Sequence, residues 1–208
     1  MKVRRPRARA PRILGLTGSI AMGKSTAAQM LRRLGVPVFD SDAAARAVTA
    51  PGGAAVAHVA ARFPGVMKNG HIDRPTLAAQ VFGAPGELAA LERIVHPHVH
   101  AARKTFMAQA TRWREPVVVF DIPLLFETAA EKKCDVVIVV TAPAFLQRQR
   151  ALARPGMTAE RLRGVLARQV PDFQKRRRAD VIIPSGLGRA DTYRRLKKTL
   201  RRVRKRIN

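Results

Sequence analysis

Residues 14–26 read LGLTGSIAMGKST, and this stretch decides the fold. Gly18, Gly23, Lys24 and Ser25 satisfy the pattern G-x-x-x-x-G-K-[S/T], the phosphate-binding P-loop. Glycines at this spacing let backbone N–H groups curl around phosphate oxygens, and the helix that follows presents its positive N-terminal end to the same anion. Lys24 is expected to reach the β- and γ-phosphates, and the Ser25 hydroxyl to ligate Mg²⁺. The stretch therefore predicts a site for a nucleoside triphosphate.

The residues on both sides of the loop favour this interpretation over a chance glycine-rich turn. The apolar run at 13–16 is typical of a buried strand. After the loop, apolar residues recur at steps of three and four, as on one face of a helix, and Gly35 is a suitable end for that helix. Strand, loop and helix thus occur in the order that a P-loop requires.

Length and composition limit the classes of protein to which the chain can belong. Its 208 residues, 47% of them hydrophobic, predict one domain with a real core and room for a subdomain insertion. We expect no transmembrane helix, because no window reaches about 18 uninterrupted apolar residues. The single cysteine, Cys134, excludes an internal disulfide. Since the basic N-terminus also lacks the pattern of a signal peptide, we expect a cytoplasmic location.

The charge of the chain is strongly positive, with 40 Lys and Arg against 14 Asp and Glu and a formal net charge of +26. The N-terminal extension 1–12 and the C-terminal segment 189–208 are especially basic. Such a charge attracts anions and leaves a nucleic-acid-binding protein as one hypothesis, beside a merely Arg-rich composition. Because only 5% of residues are aromatic, a base-stacking surface is disfavoured. We expect weak, salt-sensitive binding to nucleic acid and no specific nucleic-acid partner.

Two carboxylates follow the second predicted strand, at 36–39, in the triplet Asp40-Ser41-Asp42. Ligands of open α/β sheets bind at the carboxyl ends of the strands, so these acids are candidates for a general base and a group beside the metal. The same residues are suitable N-caps for a helix over 43–48. The spacing leaves both roles open, and the two roles can coexist.

Residues from about 43 to 114 predict several helices, one of them over 74–82, and no strand. Asn69-Gly70 is expected to form a turn, and His96-Pro97 to separate two helices, because a residue before proline disfavours helix. The five histidines of the chain lack the Cys or Glu partners of a zinc site, so no metal is predicted there. The region is too long for a simple crossover, and we interpret it as a helical insertion that holds a second substrate.

Three further apolar runs, at 117–120, 136–140 and 181–183, are continuous rather than alternating, as in a parallel sheet covered on both faces. The first of them ends in Asp121, the pattern of a strand whose carboxylate supports Mg²⁺. This signal is weak by itself, since many buried strands end in Asp.

An arginine-rich segment surrounds the break at Pro155-Gly156. It predicts a lid over about 148–170 that closes on phosphates and neutralises charge, with Arg148 and Arg154, which both precede the break, as the candidate arginines. The alternative is a solvated basic helix face. At the C-terminus, residues 189–208 predict a basic amphipathic helix, and packing on the sheet is favoured over binding to a membrane.

Several of these stretches, taken together, strongly resemble the dephospho-CoA kinase family. They lie within about 13–183 and read LTGSIAMGKST, LGVPVFDSDAAARAV, GHIDRPTLAAQVF, IVHPHV, VVVFDIPLLFET, QRQRALAR and RQVPDFQKRRRADVII. The resemblance implies an adenylate-kinase-like P-loop NTPase fold over 13–188. That fold is of the α/β class, a three-layer α/β/α arrangement with a five-stranded parallel sheet, a helical CoA-binding insertion and a lid.

The resemblance also implies the reaction, in which the γ-phosphate of ATP passes to the ribose 3′-hydroxyl of dephospho-CoA with Mg²⁺ present. The products are CoA and ADP, and the step is the last of CoA biosynthesis. Another small-molecule P-loop kinase, acting on a nucleoside or nucleotide, is the nearest alternative. For the assembly we expect a monomer or a small homo-oligomer.

Individual roles follow from the resemblance, residue by residue. Asp42 takes the position of the general base with Asp40 beside it, and Arg74 and His96 fall on the substrate side. Arg148 and Arg154 fall in the lid. The residues implied in ATP binding are Gly18, Ser19, Ile20, Ala21, Met22, Gly23, Lys24, Ser25 and Thr26.

The chain departs from the family pattern at two places inside this region. Ala21 stands where a glycine is expected, and its methyl group is free of strain only if φ is negative. Pro184-Ser185-Gly186 stands where the family usually has an Asn-containing turn on the adenine side.

Overall fold

The structure, a computed structural model, describes residues 10–81 and 83–205. The expectations for residues 1–9, for Phe82 and for residues 206–208 therefore lie outside the described part of the chain. The chain divides into two compact units. The sheet unit contains the residues up to Phe39 and those from Ala110 onward, and the helical unit is Asp40–Gln109.

Strands and helices are interspersed along both units of the chain. In chain order the strands are β1 (Arg12–Thr17), β2 (Val38–Asp40), β3 (Met67–Lys68), β4 (His71–Ile72), β5 (Val117–Asp121), β6 (Val136–Thr141) and β7 (Val181–Pro184). The helices are α1 (Lys24–Arg33), α2 (Ser41–Val48), α3 (Val56–Arg62), α4 (Arg74–Val81), α5 (Pro85–Arg112), α6 (Ala144–Leu152), α7 (Ala159–Ala167), α8 (Asp172–Arg177) and α9 (Arg189–Lys205), with a 3₁₀ turn at Ala130–Lys133.

The sheet unit is built on a five-stranded sheet of order β2-β5-β1-β6-β7. Strand β1 pairs in parallel with β5 and β6, and β6 pairs in parallel with β7. Successive residues of β6 pack on opposite faces: Ile138 and Val140 join the core of α1 and α9, and Val137 and Val139 join a second core. Since both faces are covered, the continuous apolar runs of the sequence are explained. The predicted α/β fold with a five-stranded parallel sheet is confirmed.

The C-terminal helix α9 packs against the sheet through an apolar stripe. Leu196, Leu200 and Val203 are buried in the same core as α1, while the basic residues at 194, 195, 197, 198, 201, 202, 204 and 205 are exposed. Among the described residues, no helix combines the length and the apolar character needed to cross a bilayer.

The helical unit contains a short antiparallel hairpin of β3 and β4 that the sequence analysis did not predict. Its turn has positive φ at Asn69 (47°) and Gly70 (76°), the conformation of tight hairpin turns. The turn was expected at this place, but the expectation that 43–114 contains no strand was wrong. Strands of two residues are too short to leave an alternating pattern in a sequence.

Helix α5 runs without a break through Pro97, so the predicted separation of two helices at His96-Pro97 was wrong. A proline inside a helix removes a backbone hydrogen bond and costs about 3 kcal/mol. Ala90, Leu91 and Ile94 pack in the core of the helical unit and hold the turns before the proline in helical conformation. Tertiary packing of this kind supplies most of a helix's stability and outweighs the local preference.

Candidate active site

The P-loop connects β1 to α1, and two of its glycines are required by the backbone. Gly23 has a φ of 90°, a left-handed conformation that disfavours any side chain. A Cβ atom on Gly18 would lie 2.5 Å from the backbone oxygen of Val140 in β6. Helix α1 begins at Lys24, so its N-terminal N–H groups complete the loop. The motif therefore has the strand, loop and helix of a phosphate site.

A cavity of about 430 Å³ adjoins this loop, and we call it the P-loop cavity. Its volume is typical of small-molecule sites. Lys24, Arg150, Arg154 and Arg189 bring positive charge to it, and no acid is among its lining residues. Such a cavity suits a polyanion. It is lined by all of residues 18–26 together with Pro123, Arg150, Arg154, Val165, Gln169, Ser185, Gly188, Arg189 and Thr192.

Of the two arginines predicted for the lid, Arg154 lines the P-loop cavity and Arg148 does not. Arg148 is exposed on α6. Arg150, which the sequence analysis did not single out, lines the cavity instead. The inner face of α6 is marked by the buried residues Gln147 and Ala151. Arg150 follows Gln147 by one helical turn, so both residues lie on the same face of α6. The local sequence does not mark this face as the inner one, so it offered no signal for Arg150.

Lys24 of the P-loop forms an ion pair with Asp121, with 2.5 Å between Nζ and Oδ1. Asp121 ends β5 and is 3% exposed. Strand β5 lies beside β1, with Leu16 opposite Asp121, so the carboxyl ends of the two strands meet. The lysine of the P-loop and the carboxylate predicted to support Mg²⁺ are thus in direct contact.

Two glutamines hold the backbone of Ile20, inside the P-loop. Gln169 Oε1 accepts a hydrogen bond from the Ile20 N–H at 3.0 Å, and Gln147 Nε2 donates one to the Ile20 carbonyl at 2.9 Å. Gln147 belongs to α6 and Gln169 follows α7, so the segment predicted to form a lid also supports the loop. Neither glutamine is marked by any pattern in the local sequence.

The loop is strained at Ala21, whose φ is 60°. A methyl group at this position is free of strain only at negative φ, and the φ of Ala21 is positive. The methyl group is buried, in a small apolar cluster with Ala151 of α6 and Leu162 of α7. Left-handed backbone costs a residue with a Cβ atom about 1–2 kcal/mol, whereas burying one methyl group returns about 0.8 kcal/mol.

Because these two terms nearly cancel, Ala21→Gly is expected to change the free energy of unfolding by less than about 1 kcal/mol. Ala27→Gly is the matched control, since Ala27 is a buried alanine too but lies inside helix α1. It should cost about 1 kcal/mol more than Ala21→Gly, because glycine weakens a helix interior. Urea unfolding of both variants measures the difference, and equal losses would contradict the strain at Ala21.

A buried ion pair fixes the chain just after Gln169. Lys175 Nζ lies 2.9 Å from Glu127 Oε1, and the lysine side chain is completely buried. The same carboxylate accepts a hydrogen bond from the Val170 N–H at 2.8 Å. Burial by itself raises the pKa of the Glu127 carboxyl, but Lys175 and backbone N–H groups lower it more, so this pKa lies below its usual value.

Glu127→Gln is expected to destabilise the protein by about 3 kcal/mol at pH 7, because it leaves the Lys175 charge buried without a counter-ion. A carboxyl whose pKa is lowered on folding stabilises the protein above its unfolded pKa, and this contribution is lost as the pH falls through the folded pKa. The difference in Tm between wild type and Glu127→Gln should therefore shrink from pH 7 towards acid pH. Thermal melts across this range measure it.

Two further variants test the same ion pair. Adding Lys175→Met to Glu127→Gln should restore much of the stability, since the whole pair is then replaced. Glu131→Gln removes a more exposed pair with Arg178 and should cost about 1 kcal/mol or less. If Glu127→Gln lost no more stability than Glu131→Gln, the buried ion pair would contribute no more to stability than the exposed pair.

The structure gives different contacts to the two acids of the triplet Asp40-Ser41-Asp42. Asp40 Oδ1 accepts a hydrogen bond from the Ala43 N–H at 2.8 Å and so caps α2. The side chain of Asp42, in the first turn of α2, makes no hydrogen bond or ion pair with any of the residues 10–81 and 83–205. Of the two roles that the spacing left open, capping thus belongs to Asp40, and the Asp42 carboxylate is available for another.

The helical unit has a cavity of its own, of about 350 Å³. Arg74 and His96, both predicted on the substrate side, line it, and Arg46 joins them. Arg74 donates a hydrogen bond to the Arg46 carbonyl at 3.3 Å. The other lining residues are Ala45, Thr49, Leu77, Leu91, Glu92 and Val95. An apolar wall with two guanidinium groups suits an organic molecule that carries an anionic group.

Comparison with known proteins gives one family. The family model described as dephospho-CoA kinase matches residues 12–188. The chain is 63% identical over 165 residues to the dephospho-CoA kinase of Paramagnetospirillum magneticum, across 79% of this chain and 78% of the relative. It is 52% identical over 194 residues to that of Rhodospirillum rubrum, across 92% of both chains.

Solved structures have the same fold. The protein TT1252 from Thermus thermophilus is 35% identical, with a TM-score of 0.80 over 93% of this chain and 98% of its own. The dephospho-CoA kinase from Campylobacter jejuni is 24% identical, with a TM-score of 0.64 over 93% of this chain and 97% of its own. At that identity, the second likeness supports the fold alone.

Proposed function

The chain belongs to the dephospho-CoA kinase family, which makes it an ATP-dependent kinase of dephospho-CoA, and we propose that the P-loop cavity binds the ATP while the cavity of the helical unit binds dephospho-CoA. The γ-phosphoryl group of ATP passes to the ribose 3′-hydroxyl, giving CoA and ADP in the last step of CoA biosynthesis. The observation that carries the proposal is the P-loop cavity, whose lining includes Lys24, Arg150 and Arg154 and no acid.

Residues 18–26 cradle the phosphates with backbone N–H groups, and Lys24 exchanges its contact with Asp121 for the β- and γ-phosphates. Phosphoryl transfer needs little covalent help, so positioning and neutralisation of charge supply most of the catalysis. Arg150 and Arg154 neutralise the charge that develops on the transferred group. Arg148 stays a prediction.

Mg²⁺ fits the donor atoms of the same site, because the ion prefers oxygen ligands. The Ser25 hydroxyl at the P-loop cavity and the Asp121 carboxylate beside Lys24 would hold it. When bound, the ion would supply positive charge that offsets the negative charge of the phosphates.

Asp42 acts as the general base and accepts the proton of the acceptor hydroxyl. The support for Asp42 over Asp40 is the hydrogen bond from the Ala43 N–H, which engages the Asp40 carboxylate as a helix cap. A candidate base needs a carboxylate oxygen that a substrate proton can reach.

Dephospho-CoA carries a diphosphate between two less charged parts. The cavity of the helical unit offers guanidinium groups for the diphosphate and apolar side chains for a less charged part. Arg46 and Arg74 bind the diphosphate oxygens, since a guanidinium group pairs with phosphate through parallel hydrogen bonds. Leu77, Leu91 and Val95 contact an apolar part of the substrate. His96 lies at the same wall.

The experiment that tests this function is an ADP-release assay with ATP and Mg²⁺ and a panel of acceptors. ADP release is expected to rise with dephospho-CoA and to stay at background with nucleosides and nucleoside monophosphates. The product should have the mass of CoA and should carry the new phosphate on the 3′ oxygen. Phosphorylation of a nucleotide but not of dephospho-CoA would identify a different P-loop kinase.

The remaining features of the proposal concern location and partners. We expect the enzyme in the cytoplasm, as a monomer or small homo-oligomer, with no specific nucleic-acid partner and no membrane attachment. Because the net charge is +26, weak binding to any nucleic acid is expected at low salt. Binding that prefers one sequence or structure, and that persists at high salt, would contradict this expectation.

A further inference from the structure

Ser185 occupies the turn after β7 and contacts both the P-loop and α6. Its Oγ donates a hydrogen bond to the Met22 carbonyl at 2.7 Å and accepts one from Arg150 Nη1 at 3.0 Å. The Ser185 carbonyl accepts a second hydrogen bond from Arg150 Nη2 at 3.1 Å. One residue of the turn thus holds the guanidinium of Arg150 at two points and the loop at a third.

The turn that carries Ser185 is itself fixed. The Ser185 N–H donates to the Thr141 carbonyl at the end of β6, at 2.8 Å. At the other end of the turn, Thr192 of α9 donates through Oγ1 to the Gly188 carbonyl at 2.9 Å. The Ser185 side chain is 9% exposed, so its hydrogen bonds are shielded from competing water.

These contacts lie against the last glycine of the P-loop. A Cβ atom on Gly23 would lie 2.9 Å from Ser185 Oγ and 3.9 Å from Arg150 Nη1. Gly23 directly precedes Lys24, which is expected to bind the β- and γ-phosphates. Arg150 is therefore held beside the part of the loop where the phosphates of ATP are expected.

We propose that Ser185 is a positioning residue for phosphoryl transfer, which ties Arg150 of α6 to the Met22 carbonyl of the P-loop. The proposal rests on the function proposed for the P-loop cavity. A guanidinium group is planar and carries five N–H donors, which point outward along its edges. With one edge bound to Ser185, its other donors stay available for phosphate oxygens, and their direction is fixed before ATP binds.

Fixing Arg150 in advance matters for the rate more than for binding. A charged group that is already oriented stabilises developing charge without reorganisation. If Arg150 had to be oriented during each transfer, the barrier would rise while the binding of ATP by the rest of the loop changed little. The Ser185 hydroxyl therefore acts on kcat through Arg150.

The test compares wild type with Ser185→Ala, Arg150→Ala and the double variant in the ADP-release assay with dephospho-CoA. Arg150→Ala is expected to lower kcat by about 10²–10³-fold, as for removal of one transition-state donor. Ser185→Ala is expected to lower kcat by about 10-fold or more while the KM for ATP changes by less than about 3-fold. In the Arg150→Ala background, the same serine substitution should lower kcat by less than about 3-fold, because the effects of substitutions at two coupled residues do not add.

Two controls separate positioning from a general loss of structure. Ser185→Thr keeps the hydroxyl and should recover most of the activity. Thr199→Ala removes an equally buried hydroxyl of α9 outside the P-loop cavity and should leave kcat unchanged. Thermal melts verify that each variant folds. If Ser185→Ala does not fold, Ser185→Cys replaces it, because cysteine has nearly the same size as serine and forms a much weaker hydrogen bond.

Three outcomes would overturn the inference. The first is full kcat in Ser185→Ala, and the second is a loss in Ser185→Ala that is undiminished when Arg150 is already alanine. The third is a large rise in the KM for ATP with an unchanged kcat, which would make Ser185 a part of the ATP-binding surface. If wild type itself fails to phosphorylate dephospho-CoA, the function proposed for the cavity fails instead. Calorimetric titration of ATP and its analogues into wild type and Ser185→Ala then decides whether the serine affects the loop at all.

Discussion

Lys24→Ala is expected to reduce phosphoryl transfer to background, a loss of at least about 10³-fold in kcat. The substitution removes the one P-loop side chain that carries positive charge to the β- and γ-phosphates. It also removes the ammonium group from beside Asp121, so the carboxylate then faces the phosphates without the screening that Lys24 gives. The ADP-release assay with dephospho-CoA and saturating ATP measures the loss.

Lys198→Ala is the matched control for this substitution. Lys198 is exposed on α9 and does not line the P-loop cavity, so its removal lowers the net charge by the same amount without touching the site. Thermal melts of both variants separate a loss of chemistry from a loss of folding. Substantial activity in a folded Lys24→Ala variant would overturn the assignment of the P-loop.

Asp42→Asn is expected to lower kcat by about 10²–10⁴-fold, while the KM for ATP changes only a few-fold. The amide keeps the size of the side chain but does not accept the proton of the acceptor hydroxyl. Steady-state rates at varied ATP and varied dephospho-CoA separate kcat from the two KM values.

Asp40→Asn distinguishes the two acids, because asparagine is as good an N-cap as aspartate. The hydrogen bond from the Ala43 N–H is retained in this variant, and the loss of kcat should stay below about 10-fold. A larger loss in Asp40→Asn than in Asp42→Asn would move the role of the base to Asp40.

The sheet was predictable because its signals are local. Strands β1, β5 and β6 are continuous apolar runs, since both faces of a parallel sheet are buried. The P-loop motif fixes its own geometry through Gly18 and Gly23, so the phosphate site could be predicted with it. The helix through Pro97 was missed because a local rule for proline was applied where tertiary packing decides.

The support of the site could not be predicted, because it depends on contacts between distant parts of the chain. Gln147 and Gln169 lie 127 and 149 residues from the Ile20 backbone that they hold. Ser185 lies 163 residues from Met22. Nothing in the local sequence marks a glutamine or a serine as a partner of a loop so far away. Arg150 was missed for the same reason, since only the fold shows which face of α6 is inside.

The hydrogen bonds of Ile20 also bear on how the molecule relaxes between turnovers. The backbone N–H and carbonyl of Ile20 both form hydrogen bonds with the chain segments around α6 and α7. The neighbouring Ala21 packs against the same helices. Loop and helices should therefore loosen together, as a single cooperative unit of local unfolding. When a nucleotide dissociates without unfolding this unit, the P-loop should keep its conformation. The next nucleotide would then bind a loop that is already ordered.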